Sequence, residues 1–161
     1  MKLAKAPQPA RAKGAPAIVQ PVFATLAVPV YYTGSSTLQA TERILCASAF
    51  AELVLRPMED WAQKYSFAVC HLGVYACRRA RKADGSPIVP VRWSNHSTGC
   101  AIDLSGIRTA DGERLDIAQM KAGCPAKLHE LQLACAHTIT AAGRRAEIVD
   151  EGGWLHIGIW R

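Results

Sequence analysis

The sequence lacks the cysteine spacing of several familiar kinds of site. Its six cysteines include no C-x-x-C pair, which argues against a zinc finger and a thioredoxin-type redox site. The even count permits disulfides in an oxidising compartment. A chain of 161 residues can nevertheless bury a core without them. We therefore expect most of these cysteines to be small buried hydrophobic residues.

Long apolar runs are also missing. No run reaches the roughly 18 residues that identify a transmembrane helix, so the sequence predicts none. Residues 15–32 are fairly apolar and follow a basic segment, as in a secretory signal. Prolines interrupt this stretch and no small-x-small cleavage site follows it, so we expect no signal peptide. The sequence leaves the localisation open.

Acidic residues are absent from the beginning of the chain. None precedes Glu42, whereas Lys2, Lys5, Arg11 and Lys13 lie near the start of a chain with a formal net charge of +6. We interpret residues 1–36, rich in Ala and Pro, as an extended basic arm, and residues 37–161 as the folded domain. Such an arm indicates a protein or anionic partner, or is a solvated tail.

Hydrophobic periodicity predicts an α+β fold. Half of the residues are hydrophobic and a fifth are charged, which is typical of a globular domain. Helical spacing runs from residue 37 or 41 to about residue 65, where Pro57 should kink or divide the helix. A second helix is predicted over 125–143, and strands over 67–75, 101–107, 113–115, 146–149 and 154–160. We expect a small antiparallel sheet with helices packed on one side, and a surface loop over 78–92.

Two strands and one loop display candidate metal ligands. His96 precedes Asp103 by seven positions, and the alternation of the strand places Asp103 on its polar face. In the last strand, alternation displays His156 on the face opposite the apolar side chains. Imidazole and carboxylate both suit Zn²⁺, and a catalytic zinc site uses three protein ligands. Such a site polarises carbonyl groups and favours amide hydrolysis, with a carboxylate as base and a cation to orient the substrate.

Three segments resemble a known family. Residues 94–103 match the S-x-H-x-x-G-x-A-x-D motif of the peptidase M15 family of zinc D-Ala-D-Ala metallopeptidases at every fixed position. Residues 154–157 resemble that family's W-x-H strand. Residues 75–78, Y-A-C-R, are similar to the Y-x-C-R segment of the related extensin-like C-terminal proteins. The resemblance covers roughly residues 40–161.

The resemblance implies a zinc peptidase acting at the bacterial cell wall. His96, Asp103 and His156 would bind one zinc ion, and Arg78, or otherwise Arg79, would contact the substrate carbonyl or carboxylate. The implied substrate is a peptidoglycan stem peptide or cross-bridge, cleaved by a carboxypeptidase or an endopeptidase. A phage-encoded lysis or virion-associated protein is a setting that fits the size of the chain.

The general base departs from the family pattern. The family usually has Glu or Asp three residues before the last histidine, where this sequence has Gly153. We favour Glu151 as the base, then Asp150, and catalytic inactivity is the third alternative. We also assign Ser94 and Trp154 to substrate binding. Alternation places Trp154 on the face of His156, where it is a cleft wall or a core residue.

Two other functional classes compete with the enzyme. A non-catalytic relative would serve as a cell-wall-binding or structural assembly module, docked through the basic arm. A nucleic-acid-binding protein would account for the charge but leave the motif unexplained. The bond cleaved, the oligomeric state and the pairing of the cysteines are not determined by the sequence.

Overall fold

The computed structural model describes residues 1–81, 86–90 and 92–160 and confirms an α+β fold. The predicted surface loop over residues 78–92 lies partly outside these residues. The strands are β1 (Lys2–Lys5), β2 (Pro21–Thr25), β3 (Val30–Tyr32), β4 (Gln39–Ala40), β5 (Ile44–Ala47), β6 (Ala68–Gly73), β7 (Ala101–Arg108), β8 (Arg114–Asp116), β9 (Arg145–Asp150) and β10 (Leu155–Trp160). The helical segments are α1 (Ser48–Phe50), a π-helical turn (Ala51–Leu55), α2 (Arg56–Lys64), a 3₁₀ helix (Asn95–Thr98), α3 (Ile117–Gly123) and α4 (Pro125–Ala141).

The segment predicted as an extended arm is part of the fold. Strands β1 and β2 join β5 in a three-stranded antiparallel sheet, in the order β1-β2-β5. Between β1 and β2, the side-chain amide of Gln8 donates to the Ile18 carbonyl at 2.6 Å, and its carbonyl accepts from the Ile18 amide at 3.2 Å. Ile18 and Ala24 are buried in the core. Burial of this apolar surface offsets the conformational entropy that residues 1–36 lose when they become ordered. The prediction of an extended arm is corrected accordingly.

The first helical segment begins later than predicted. Residues 44–47 continue the helical spacing in sequence, but they form β5 and pair with β2. Local periodicity cannot reveal this pairing, because the partner strand lies about twenty residues earlier in the chain. Helical backbone begins at Ser48.

Pro57 lies where the helical region changes from a π-helical turn to α2, although helical backbone continues from Ser48 to Lys64. The π-helical turn ends at Leu55, and Pro57 lies in the first turn of α2. Proline lacks an amide hydrogen, so the carbonyl four residues earlier loses its helical partner. That carbonyl belongs to Leu53, and it accepts a hydrogen bond from the Thr138 hydroxyl at 2.6 Å. The interruption is therefore compensated by a contact from α4.

A larger sheet carries the candidate ligands. Its order is β4-β3-β6-β7-β10-β9, with β8 paired to β7. Only the β3–β6 pair is parallel among the described strands, so the sheet is mainly antiparallel, as expected. Strands β6 to β10 lie where the sequence predicts them. Helix α3 was not predicted, although Asp116 and Gln119 form a capping box in which each side chain accepts from the other residue's amide at 2.8 Å.

The helices and the inner face of the sheet share one hydrophobic core. Helix α4 packs against α2 and β9, and the Trp61 indole donates to the Lys127 carbonyl at 2.8 Å. All six cysteines are free; Cys46, Cys70 and Cys135 are buried, whereas Cys77, Cys100 and Cys124 are only partly buried, so half of them, and not most, have the predicted role. None of the described helices combines the length and hydropathy needed to span a bilayer.

The buried His71 predicts a loss of stability in acid. Burial lowers the pKa of its imidazole to about 4, although the negative charge of Asp103 acts in the opposite direction. The unfolded chain, with an ordinary histidine pKa of about 6.5, binds that proton more tightly. Stability is therefore lost as the pH falls from about 6.5 towards 4, by up to about 3 kcal/mol from this residue. Urea unfolding at pH 7 and pH 4.5 should show a smaller acid loss in His71→Gln than in the wild type; equal losses would contradict the assignment.

Candidate metal site and cleft

The turn that carries His96 is capped at both ends by residues of the sequence motif. The Ser94 hydroxyl accepts a hydrogen bond from the His96 amide at 3.3 Å and caps the 3₁₀ helix. At the other end, the Gly99 amide donates to the His96 carbonyl at 3.0 Å. Ser94, which the sequence analysis assigned to substrate binding, therefore fixes the backbone of the turn before His96. The His96 side chain is buried, with 3% of its surface exposed.

Gly99 lies where no other residue fits without strain. Its φ of +63° is in the left-handed region. A Cβ at this position would be 2.9 Å from both the Ala47 amide nitrogen and the Cys46 Cα. The Ala47 amide donates to the Gly99 carbonyl at 3.0 Å, so the backbones of the turn and β5 are in direct contact. The motif glycine thus joins the site to the three-stranded sheet.

Gly99→Ala should destabilise the protein by about 2–4 kcal/mol, combining left-handed strain with overpacking. Gly143→Ala is the matched control, because Gly143 has a φ of +70° but no atom lies within 4 Å of the point where its Cβ would be. This control should cost only the backbone strain, about 1–2 kcal/mol. Urea denaturation of both variants measures the difference. Equal losses would show that the contact with β5 contributes nothing.

Strand register brings the other two candidate ligands together. In the antiparallel β7–β10 pair, His156 lies directly opposite Asp103. Side chains at opposed positions project from the same face of a sheet. The sequence predicted the face of each residue, and the pairing of the two strands places them side by side, as expected.

The three candidate ligands meet at the bottom of a cleft. Asp103 Oδ1 lies 3.2 Å from His96 Nε2 and 2.8 Å from His156 Nδ1. One ligand atom from each of these residues lies within 4.8 Å of the others. Asp103 and His96 are buried, and the His156 side chain is 12% exposed. The sequence motif and the terminal strand therefore form a single candidate metal site.

Each histidine is also held through its other ring nitrogen. His96 Nδ1 lies 2.9 Å from the Val74 carbonyl, which requires that nitrogen to donate and leaves Nε2 directed at Asp103. His156 Nε2 lies 3.4 Å from Glu147 Oε2. A carboxylate or carbonyl behind a histidine is typical of metal sites, because it fixes the tautomer and the orientation of the ring.

Electrostatics couples the three groups. Burial alone would raise the pKa of Asp103, but hydrogen bonds from His156 and His96 outweigh it and hold that pKa well below its usual range. Burial would likewise lower the pKa of His156, yet its bonds to Asp103 and Glu147 raise it to about 9. Asp103 is therefore a buried anion that faces one nitrogen of each histidine ring, an arrangement that a cation can join.

Glu147 is a site residue that the sequence did not reveal. It lies on β9, and besides His156 its carboxylate contacts the Asn95 side-chain amide at 2.5 Å and Arg92 at 3.8 Å. The His156 bond is the main cause of the lowered pKa of Glu147. Its place opposite Gly158 in the β9–β10 pair leaves room for the imidazole, since a Cβ on Gly158 would be 3.1 Å from His156 Nε2. In the sequence, only the alternation of side chains along β9 could have indicated that Glu147 lies on the same face of the sheet as His156.

The cleft above the candidate ligands has a volume of about 280 Å³. Arg78 lines it, with its side chain 61% exposed and one guanidinium nitrogen 3.6 Å from Asp103 Oδ2. Arg79, the alternative, also lines the cleft, as do Ser94 and Trp154. The residues assigned to substrate contact from the sequence are therefore all at this cleft.

The two candidate bases lie in different places. Glu151 lines the cleft, is exposed, and makes no side-chain hydrogen bond or ion pair with the described residues. Asp150 is outside the cleft lining, where its carboxylate pairs with Lys121 and accepts from the Gly152 amide at 2.9 Å. Of the two candidate bases, Glu151 therefore lines the cleft, whereas Asp150 is engaged by Lys121.

Fold and site define an α+β protein with a candidate His₂Asp metal centre at the bottom of an arginine-lined cleft. The sequence model of the Extensin-like protein C-terminus family matches residues 4–146. The chain belongs to that family. The match includes most of the segment predicted as an arm and ends before β10. His156 therefore lies outside the match, and its place among the candidate ligands follows from the β7–β10 register. No curated protein and no solved structure is significantly similar to the chain.

Proposed function

We propose that the protein is a zinc-dependent peptidase related to peptidase M15, which hydrolyses an amide bond in peptidoglycan stem peptides or cross-bridges. The observation that carries the proposal is the convergence of His96, Asp103 and His156 at the bottom of the cleft. Two imidazoles and one carboxylate resemble the His₂Glu ligand sets of zinc peptidases, which keep a fourth position open. Carboxypeptidase and endopeptidase action both remain compatible with the cleft.

The donor atoms fit a tetrahedral zinc ion. At zinc–ligand distances of about 2.0–2.2 Å, adjacent ligand atoms of a tetrahedron lie about 3.4 Å apart. The observed 3.2 Å and 2.8 Å separations from Asp103 Oδ1 are close to this spacing. The Val74 carbonyl and Glu147 orient the two rings from behind, as zinc sites require. When bound, zinc supplies Lewis-acid polarisation of the substrate carbonyl.

The other residues of the cleft supply positioning and proton transfer. Arg78 is exposed beside Asp103 and would orient the substrate carbonyl or carboxylate by charge-assisted hydrogen bonds. Glu151 would accept the proton of the attacking water at its carboxylate and return it to the leaving amine. Trp154 would provide an apolar wall next to the reacting bond. Glu147 is engaged by His156, Asn95 and Arg92, which favours an orienting role over proton transfer.

Glu147→Gln should weaken zinc binding by about 10- to 100-fold, the usual effect of removing a carboxylate behind a histidine ligand. The substitution keeps the size of the side chain but removes the charge that orients His156. Competition with a chromophoric zinc chelator measures the affinity. Glu113→Gln, at an exposed position on the β7–β8 hairpin, should bind zinc like the wild type. An unchanged affinity in Glu147→Gln would show that Glu147 does not support the metal.

Digestion of purified muropeptides, followed by mass spectrometry, tests the proposed reaction directly. Zinc-loaded protein should release a fragment whose mass identifies the broken amide bond, and removal of the metal with a chelator should stop the release. Fully zinc-loaded, folded protein that cuts no muropeptide would reject the peptidase proposal.

The second candidate is a non-catalytic cell-wall-binding or assembly protein. Gly153 occupies the position, three residues before His156, where the family usually has its general base, and this favours the alternative. The nearest substitute, Glu151, lies on a short turn and depends on that turn for its position. Such a protein would co-sediment with intact cell walls and bind zinc without turnover. Co-sedimentation without cleavage would support this alternative, and cleavage would exclude it.

A further inference from the structure

One wall of the cleft is built from basic residues on two facing segments. The Ser94 amide donates to the Arg78 carbonyl at 3.1 Å, and the Ala80 amide donates to the Arg92 carbonyl at 2.9 Å. Arg79 and Trp93 are bridged as in an antiparallel pair. The two segments therefore run antiparallel along one wall of the cleft, where Arg78 lies 3.6 Å from Asp103 Oδ2 and Arg92 lies 3.8 Å from Glu147 Oε1.

Aromatic rings hold two of these guanidinium groups. The Arg79 guanidinium lies 3.8 Å from the centre of the Trp93 ring, and that of Arg92 lies 4.0 Å from the centre of the Trp160 ring. A stacked guanidinium keeps the N–H groups at its edge available for in-plane hydrogen bonds with a carboxylate. Stacking also reduces the entropy lost on binding, because the side chain is already ordered.

Positive charge exceeds negative charge on the described lining. Four arginines line the cleft, at positions 78, 79, 81 and 92, against the three carboxylates Asp103, Glu147 and Glu151. Asp103 and Glu147 are engaged with the histidines, Glu147 also pairs with Arg92 at 3.8 Å, and a bound divalent cation would increase the excess. Arg79 and Arg81 follow Arg78 along one of the two segments, and three residues of extended chain span about 10 Å.

We propose that this wall, formed by Arg79 and Arg92 with Arg78 at its inner end, selects peptides with side-chain carboxylates away from the bond to be cleaved. The substrate class is then an acidic stem peptide whose side-chain carboxyl groups are free, and amidation of those groups weakens recognition. The inference rests on the proposed function for its substrate. Bidentate contacts between guanidinium and carboxylate supply the selectivity, because an amide offers neither the charge nor a second acceptor oxygen.

The test compares two synthetic stem peptides that differ only in their side-chain carboxyl groups, free in one and amidated in the other. Calorimetry with zinc-loaded Glu151→Gln protein measures affinity without turnover. The free-acid peptide should bind about tenfold tighter or more, the usual strength of a charge-assisted hydrogen bond. Arg79→Gln in the same background should reduce this preference by about tenfold. Arg144→Gln, exposed after α4, should keep it.

The outcomes separate this inference from the proposed function. Equal binding of the two peptides, or an undiminished preference in Arg79→Gln, would overturn the basic wall as a selective surface even if the wild type cuts muropeptides. A preference for the free-acid peptide that is lost in Arg79→Gln would support the basic wall. If the wild type then cuts neither peptide, only the peptidase proposal fails.

Discussion

Replacing His96 by alanine is expected to reduce the bound zinc from about one ion per chain to nearly none, because two of three protein ligands rarely retain a catalytic zinc. Metal analysis after zinc loading and dialysis measures the ratio. His156→Ala should lose zinc in the same way, since both imidazoles point at the same carboxylate oxygen. Peptidase activity should disappear together with the metal.

The control for this experiment is His137→Ala, an exposed position on α4. It should retain the wild-type zinc content. Because His96 is buried and bonded to the Val74 carbonyl, circular dichroism must show that the variant is folded. Asp103→Asn, which keeps the size of the side chain, offers a second test. A folded His96→Ala or Asp103→Asn protein that still holds one tightly bound zinc would refute the proposed ligand set.

Glu151→Gln is expected to lower turnover by about 10²–10⁴-fold, the usual contribution of a general base, while zinc binding is unchanged. Glu151 lines the cleft, and its carboxylate makes no ion pair with the described residues. It is therefore free of the engagements that hold Glu147 against His156 and Asp150 against Lys121. Steady-state cleavage of a defined muropeptide, with zinc content measured in parallel, tests the prediction.

Asp150→Asn is the matched control, because Asp150 is the last residue of β9, directly before Glu151, and is similarly exposed. It should keep turnover of the same order as the wild type, because its carboxylate pairs with Lys121 outside the cleft lining. A large loss in Asp150→Asn with unchanged turnover in Glu151→Gln would move the base to Asp150. Unchanged turnover in both variants would leave the base unassigned.

The predictable part of the site consisted of features encoded over a few neighbouring residues. Ser94 and Gly99 cap the turn around His96, and both caps are visible in the sequence. Alternation placed Asp103 and His156 on the polar faces of their strands, because side chains of a strand alternate with a period of two. Pro57 lies at the change from the π-helical turn to α2 for a similarly local reason.

The errors have a common physical origin in contacts between distant segments. Residues 1–36 looked like an extended arm because Ala and Pro give little periodicity, and Ile18 was buried only by the assembled core. Residues 44–47 carry a helical pattern but pair with β2 instead. Pairing with a distant strand can override a local preference, which is why β propensity depends strongly on context.

The sequence by itself determined which residues could bind a metal and which face of each strand would display them. The tertiary structure decided which of the remaining polar residues joins them. The β9–β10 register places Glu147 behind His156. At the end of β9, Asp150 pairs with Lys121, and the turn that follows leaves Glu151 lining the cleft. These assignments follow from strand register and loop path, which depend on the assembled sheet and not on spacing along the chain.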